Sequence, residues 1–201
     1  YSTICMAKGE DVLGIYKTKQ CKVLIADEEN GARRLKKRIT QLTKKDSDKN
    51  FLKNIAFAIY HDIKLDSLDA RTELLEEHIK NNKPDVVIID SLVRFMVGEE
   101  NKADDMKVCF DTIKNIRSKH HCSFLILHHL RKSGTGNMHD LRGSGDIIGS
   151  PSIITIIKKL AENKFELSWV KQRDEPDVAP VKFDTIDTTD GALEIRYEKK
   201  R

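Results

Sequence analysis

The sequence predicts an α/β fold: a doubly wound, mainly parallel sheet with antiparallel strands added at the C-terminal edge. Three observations carry this. The stretches 85–90 (DVVIID) and 123–127 (SFLIL) are apolar without alternation, as in strands covered on both faces. Short β-branched runs alternate with amphipathic runs through the first 130 residues, the order that builds strand–helix–strand units. The last third is richer in strand-like segments than in helical ones.

Taken in order, CKVLIA (21–26) is short and β-branched, hence a strand. GARRLKKRITQL (31–42) places Leu35, Ile39 and Leu42 at helical spacing among basic and polar residues. NIAFAIY (54–60) reads as a strand. Over 66–81, Asp66 or Ser67 is positioned to cap a helix whose inward face is Leu68, Leu74, Leu75 and Ile79. Pro84 ends that connection, and 85–90 is the next strand. The stretch 102–119 is helical, with Met106, Cys109, Phe110, Ile113 and Ile116 on one face. A strand at 123–129 follows, then strands at 152–158, 164–171 and 193–197.

A chain of 201 residues suits a single domain over 1–201. Apolar residues make up 39% and charged residues 34%, enough for a core under an ion-dense surface. The net charge of +4 is a mild basic bias, compatible with a nucleic-acid partner and not evidence for one. Cys5, Cys21, Cys109 and Cys122 form no C-x-x-C pair and lack zinc-ligand spacing, so they read as reduced, mostly buried thiols. No apolar run approaches the roughly 20 residues that span a bilayer, and no basic-then-apolar leader is seen, so the expected location is cytoplasmic, without a membrane partner.

In open α/β sheets ligands bind beyond the carboxyl ends of the strands. Asp27, Glu28, Glu29 and Asn30 follow the first strand, and Asp90 and Ser91 follow 85–89. His128, His129, Arg131 and Lys132 follow 123–127, and Lys171, Gln172 and Arg173 follow 164–170. Any one of these ends reads equally well as an ordinary polar loop. Together they match nucleoside triphosphate hydrolysis. Asp90, ending a buried strand, suits Mg²⁺ beside phosphates, since a dication compensates its charge. Glu29 can orient and deprotonate the attacking water. A histidine at the next end can contact the γ-phosphate, and Lys171 and Arg173 can neutralise charge developing in the transition state, in this subunit or the next.

The ordered set VLIADEEN (23–30), DVVIIDSL (85–92), FLILHHLRK (124–132), LRGSGDI (141–147) and WVKQRD (169–174) resembles the RecA-like ATPases, in particular hexameric RepA-type replicative helicases and related plasmid or viral ATPases. The resemblance covers nearly the whole chain. It implies a RecA-like fold, ATP and Mg²⁺ as cofactors, single-stranded DNA as partner, and a homo-oligomeric ring or filament. Residue by residue, it implies that Glu29 is the catalytic glutamate, Asp90 the Walker B aspartate and Ser91 its usual neighbour. His128 is then the phosphate sensor with His129 in support, Arg142 lies near the nucleotide or the subunit interface, and Lys171 and Arg173 form a Lys-x-Arg finger reaching a neighbour's ATP. The implied activity is ATP hydrolysis on DNA, as in a replicative-helicase motor. The alternatives are a non-motor RecA paralogue in recombination or regulation, and a nucleotide- or DNA-binding module without turnover.

The phosphate-binding pattern G-x-x-x-x-G-K-[S/T] does not occur in these residues, and GEDVLG (9–14) does not replace it. Residues 1–20 are expected to be the end of the helix that follows such a loop, with the loop and the first central strand lying upstream. Without that loop, the chain is not expected to hydrolyse ATP.

Smaller signals remain. ARRLKKR (32–38) can touch a phosphate backbone or a partner subunit, although a solvated helix face is the simpler reading. KSGTGNMHDLRGSGD (132–146) carries four glycines; in RecA-like proteins this region faces the channel, where Lys132, Arg131 and backbone N–H groups suit DNA phosphates. His120, His121 and Cys122 read as helix-end residues without a fourth metal ligand, Phe95 and Met96 as packing residues, and Trp169 as an anchor.

Overall fold

The computed structural model describes residues 1–67, 70–130, 145–173 and 178–198, except the side chain of Asp146. Its centre is a parallel sheet of β1 (Val23–Asp27), β2 (Ile55–Ile59), β3 (Val86–Asp90) and β4 (Ser123–Ile126), in the order β2-β1-β3-β4. The β-branched runs form strands because each successive side chain finds an apolar layer above or below. Leu24, Ala26, Val87 and Ile89 face one layer, built by α3 (Ala70–Asn82) through Leu75 and Ile79 and by α4 (Ala103–His120) through Met106, Cys109, Ile113 and Ile116. The other face is covered at one end by α1 (Ser2–Lys8) and the 3₁₀ turn Asn50–Asn54, where Ile4, Ala7, Phe51 and Ile55 cluster with Ile25 and Leu42. The helix α2 (Gly31–Leu42) follows β1.

Three expectations are corrected. Strand 123–127 is not covered on both faces. It is the edge of the parallel sheet, and Leu125 is 41% exposed because no described element lies over it. Asp66 does not cap α3, which starts at Ala70. Its carboxylate instead accepts the backbone N–H groups of Val97 and Gly98, at 2.7 Å each, and ties down the loop after β3. The third is a missed strand, β7 (Val181–Asp187).

The antiparallel strands form a sheet of their own, β5 (Ile153–Ala161), β6 (Lys164–Gln172), β7 and β8 (Leu193–Tyr197), in chain order. The short helix α5 (Asp146–Gly149) precedes it. Trp169 on β6 meets Tyr16 with ring centroids 5.2 Å apart, and Lys45 pairs with Glu194 on β8, so the second sheet is anchored to the first layer. Phe95 and Met96 are buried in the main core, as packing residues. Three of the four cysteines are buried and all are free.

Candidate active site

The parallel register puts Asp27 level with Asp90 at the carboxyl ends of adjacent strands. Asp27 is completely buried. Its Oδ1 accepts the backbone N–H of Glu29 at 2.8 Å and of Asn30 at 2.6 Å, and its Oδ2 accepts the Asn30 side-chain amide at 3.1 Å. This is an aspartate turning the chain after a strand, with α2 starting at once. The same Asn30 amide nitrogen donates to Asp90 Oδ2, also at 3.1 Å. One NH₂ group thus bridges two carboxylates and fixes their separation.

The remaining acids of the DEEN turn diverge. Glu28 Oε1 accepts the N–H groups of His61 (3.0 Å) and Ile63 (3.2 Å), holding the loop after β2. The Glu29 side chain points back across the rim, where its Oε2 accepts the Ser91 hydroxyl at 2.6 Å. His129 Nε2 lies 3.8 Å from that oxygen, with its side chain 61% exposed. The Asp90–Ser91 peptide is cis. Burial, then the charges of Asp27 and Glu29, push the Asp90 carboxyl above its ordinary range, with Arg38 and His129 opposing.

Such a group favours an arriving cation. Among the described residues no three acidic, histidine or cysteine side chains converge as metal ligands. Mg²⁺ is ordinarily held by one or two carboxylates together with waters and substrate phosphates, and Asp90, half-buried and crowded by two like charges, fits that role.

The structure therefore brings together Glu29, Asp90, Ser91 and His129. His128 goes elsewhere: its buried side chain puts Nε2 4.0 Å from the buried carboxylate of Glu100. Lys171 donates to the carbonyls of Ile148 (2.6 Å) and Gly149 (3.0 Å), and Arg173 to that of Gly149 (2.6 Å). The basic pair thus closes the end of α5, on the second sheet, and burial followed by the neighbouring Arg173 lowers the Lys171 pKa. Arg131, Lys132 and Arg142 lie outside the described residues. Asp27 and Asn30 were not assigned a role from sequence; the signal that finds them is the Asp-x-x-Asn spacing at a strand end.

A family profile described as an AAA domain matches residues 2–135, about two thirds of the chain, and the chain belongs to that family. Its fold is that of the RecA-like P-loop ATPases related to replicative helicases. The solved ATPase domain of one helicase superposes with a TM-score of 0.61 at 17% identity, covering 82% of this chain and 71% of that one. The RadB recombinase gives 0.63 at 16%, covering 89% and 80%. A DnaB-like replicative helicase gives 0.62 at 16%, covering 86% of this chain and 51% of the helicase, so the chain spans about half of that protein. No curated protein sequence matches the chain.

Proposed function

We propose that this chain is the RecA-fold part of an ATP-hydrolysing protein that acts on single-stranded DNA, as a replicative-helicase-like motor. The observation that supports it is the rim where Asn30 bridges Asp27 and Asp90 while Glu29 takes the Ser91 hydroxyl. Glu29 is the general base: water attacks the γ-phosphorus, Glu29 takes its proton, and ADP leaves with the electron pair of the bridging oxygen. Ser91 holds the Glu29 carboxylate in place, and His129, beside it, approaches the γ-phosphate. His128, packed against Glu100, supports the strand end that carries His129. Mg²⁺, when bound at Asp90, neutralises phosphate charge. Lys171 and Arg173 act on a neighbouring subunit's nucleotide in a ring or filament, while Arg131 and Lys132 contact DNA phosphates and Arg142 lies near the nucleotide or the subunit interface. No helix among the described residues is long and apolar enough to cross a membrane, and we place the protein in the cytoplasm.

The test is ATP turnover of the full protein with and without single-stranded DNA, for wild type and Glu29→Gln. Expected is unchanged nucleotide affinity with turnover down by about 10²–10⁴-fold. Unchanged turnover removes Glu29 from the mechanism. A second reading, a non-motor recombinase-type ATPase, draws on the larger share of RadB than of the helicase that the chain spans. DNA-stimulated turnover without strand separation would favour it.

A further inference from the structure

We propose that the outward face of α2, together with Tyr60, binds the backbone of single-stranded nucleic acid. The proposal rests on the reading that the protein works on nucleic acid and adds a contact outside the 131–144 segment. Helix α2 carries Arg33, Arg34, Lys36, Lys37 and Arg38 and no acidic residue, and all five cations are exposed. At 3.6 residues per turn, Arg33, Lys36, Lys37 and Thr40 form one stripe, opposite Leu35, Ile39 and Leu42, with Arg34 on its flank. Elsewhere cations are neutralised locally: Lys8 by Asp46, Lys17 by Asp11, Lys119 by Glu76, Lys164 by Glu198. On α2, among the described residues, none of the five pairs with a carboxylate; Arg34 alone has a side-chain partner, donating to Asn30 Oδ1 at 3.4 Å. Arg33 with Lys37, and Arg34 with Arg38, are like charges four residues apart, which oppose the helix they sit on. An anionic polymer removes that repulsion.

Tyr60 stands at the start of the same helix. It is 59% exposed, its hydroxyl donates to the Glu29 carbonyl at 3.0 Å, and its ring lies across Gly31, where a Cβ would meet it at 2.8 Å. Its φ of 55° is costly for a bulky residue and is held by that contact. A solvent-facing ring at the head of a cationic stripe suits stacking of an unpaired base, which favours a single strand over a duplex. The stripe has no apolar edge for a membrane surface, and an acidic peptide makes no use of the ring. Asn30 touches Arg34, Asp27 and Asp90, so the polymer would sit one side chain from the carboxylates.

The test is anisotropy of a fluorescein-labelled oligothymidylate with the full protein across a salt series. The variants are Arg33→Glu/Lys37→Glu, Tyr60→Leu, the exposed α4 control Lys107→Glu/Lys114→Glu, and Lys132→Glu, with melting curves to confirm folding. The α2 double variant is expected to weaken binding at least tenfold and to lower the log-affinity against log-salt slope by about 1.4, at about 0.7 per lost contact on a single strand. Tyr60→Leu is expected to weaken binding about tenfold with the slope unchanged, and the α4 control to have no effect. If Lys132→Glu abolishes binding while the folded α2 variants match wild type, the α2 surface is overturned and the DNA-acting reading stands. If wild type does not bind, both fall. Equal weakening toward polyglutamate or phosphatidylserine vesicles also overturns the proposal, in favour of a general anion surface.

Discussion

Asp27→Ala examines the joint on which the site depends. The buried carboxylate accepts three hydrogen bonds, two from the backbone N–H groups of Glu29 and Asn30 and one from the Asn30 amide. Hydrogen bonds to a charged acceptor contribute about 1.5–3 kcal/mol each. Their sum overstates the loss, because neighbouring bonds are not additive and because removing this charge relieves its repulsion of Asp90. A net cost of about 3 kcal/mol is expected, which for a chain of 201 residues lowers Tm by about 6–12 °C. Asp27→Asn keeps one oxygen for the two backbone donors and should cost about 1 kcal/mol, or about 2–4 °C. The assay is thermal unfolding followed by circular dichroism, with carboxyl-carbon NMR to titrate Asp90. Losing the Asp27 charge should lower the Asp90 pKa in both variants. A Tm within about 2 °C of wild type for the alanine variant, or an unmoved Asp90 titration, would refute the view that Asp27 both builds the turn and loads Asp90.

Three further outcomes are expected. Because the folded Asp90 carboxyl holds its proton more tightly than the unfolded one, its ionisation opposes folding. Stability should therefore fall as pH rises from the ordinary aspartate value of 3.8 through the raised folded value, and stay level above it. Asp90→Asn should flatten that slope, and Mg²⁺ should raise the melting temperature of wild type but not of the variant; equal Mg²⁺ stabilisation of both would remove Asp90 as the ligand. Lys171→Met should cost little stability, about 1 kcal/mol for the lost carbonyl contacts, yet lower turnover of the assembled protein by about 100-fold. Mixing it with Glu29→Gln subunits should restore part of the activity if Lys171 acts across an interface, and no recovery counts against that. Leu75→Ala, at a fully buried position between α3 and the sheet, should cost about 2–5 kcal/mol in chemical denaturation while leaving nucleotide affinity unchanged.

The parallel core was legible in the sequence because its signal is local. An apolar run closed by Asp90 needs no knowledge of its neighbours to be a strand, and Met106, Cys109, Ile113 and Ile116 recur at the helical period whatever they pack against. The strand β7 was missed because V-K-F-D-T alternates polar and apolar residues, the period of a strand with one wet face, and lacks an apolar run. Asp27, Glu28 and Glu29 are three adjacent acids, indistinguishable by type and spacing. Their separation into a turn anchor, a clamp on the β2 loop and a side chain facing Ser91 depends on the β1–β3 register and on where Asn30 reaches. The two histidines behave alike: adjacent in the chain, they part company because one side chain enters the layer holding Glu100 and the other meets solvent beside Glu29. Sequence periodicity reports which side chains leave water, a property each residue carries with it; which polar atoms then meet is settled by strand register and packing between segments as far apart as residues 30 and 90.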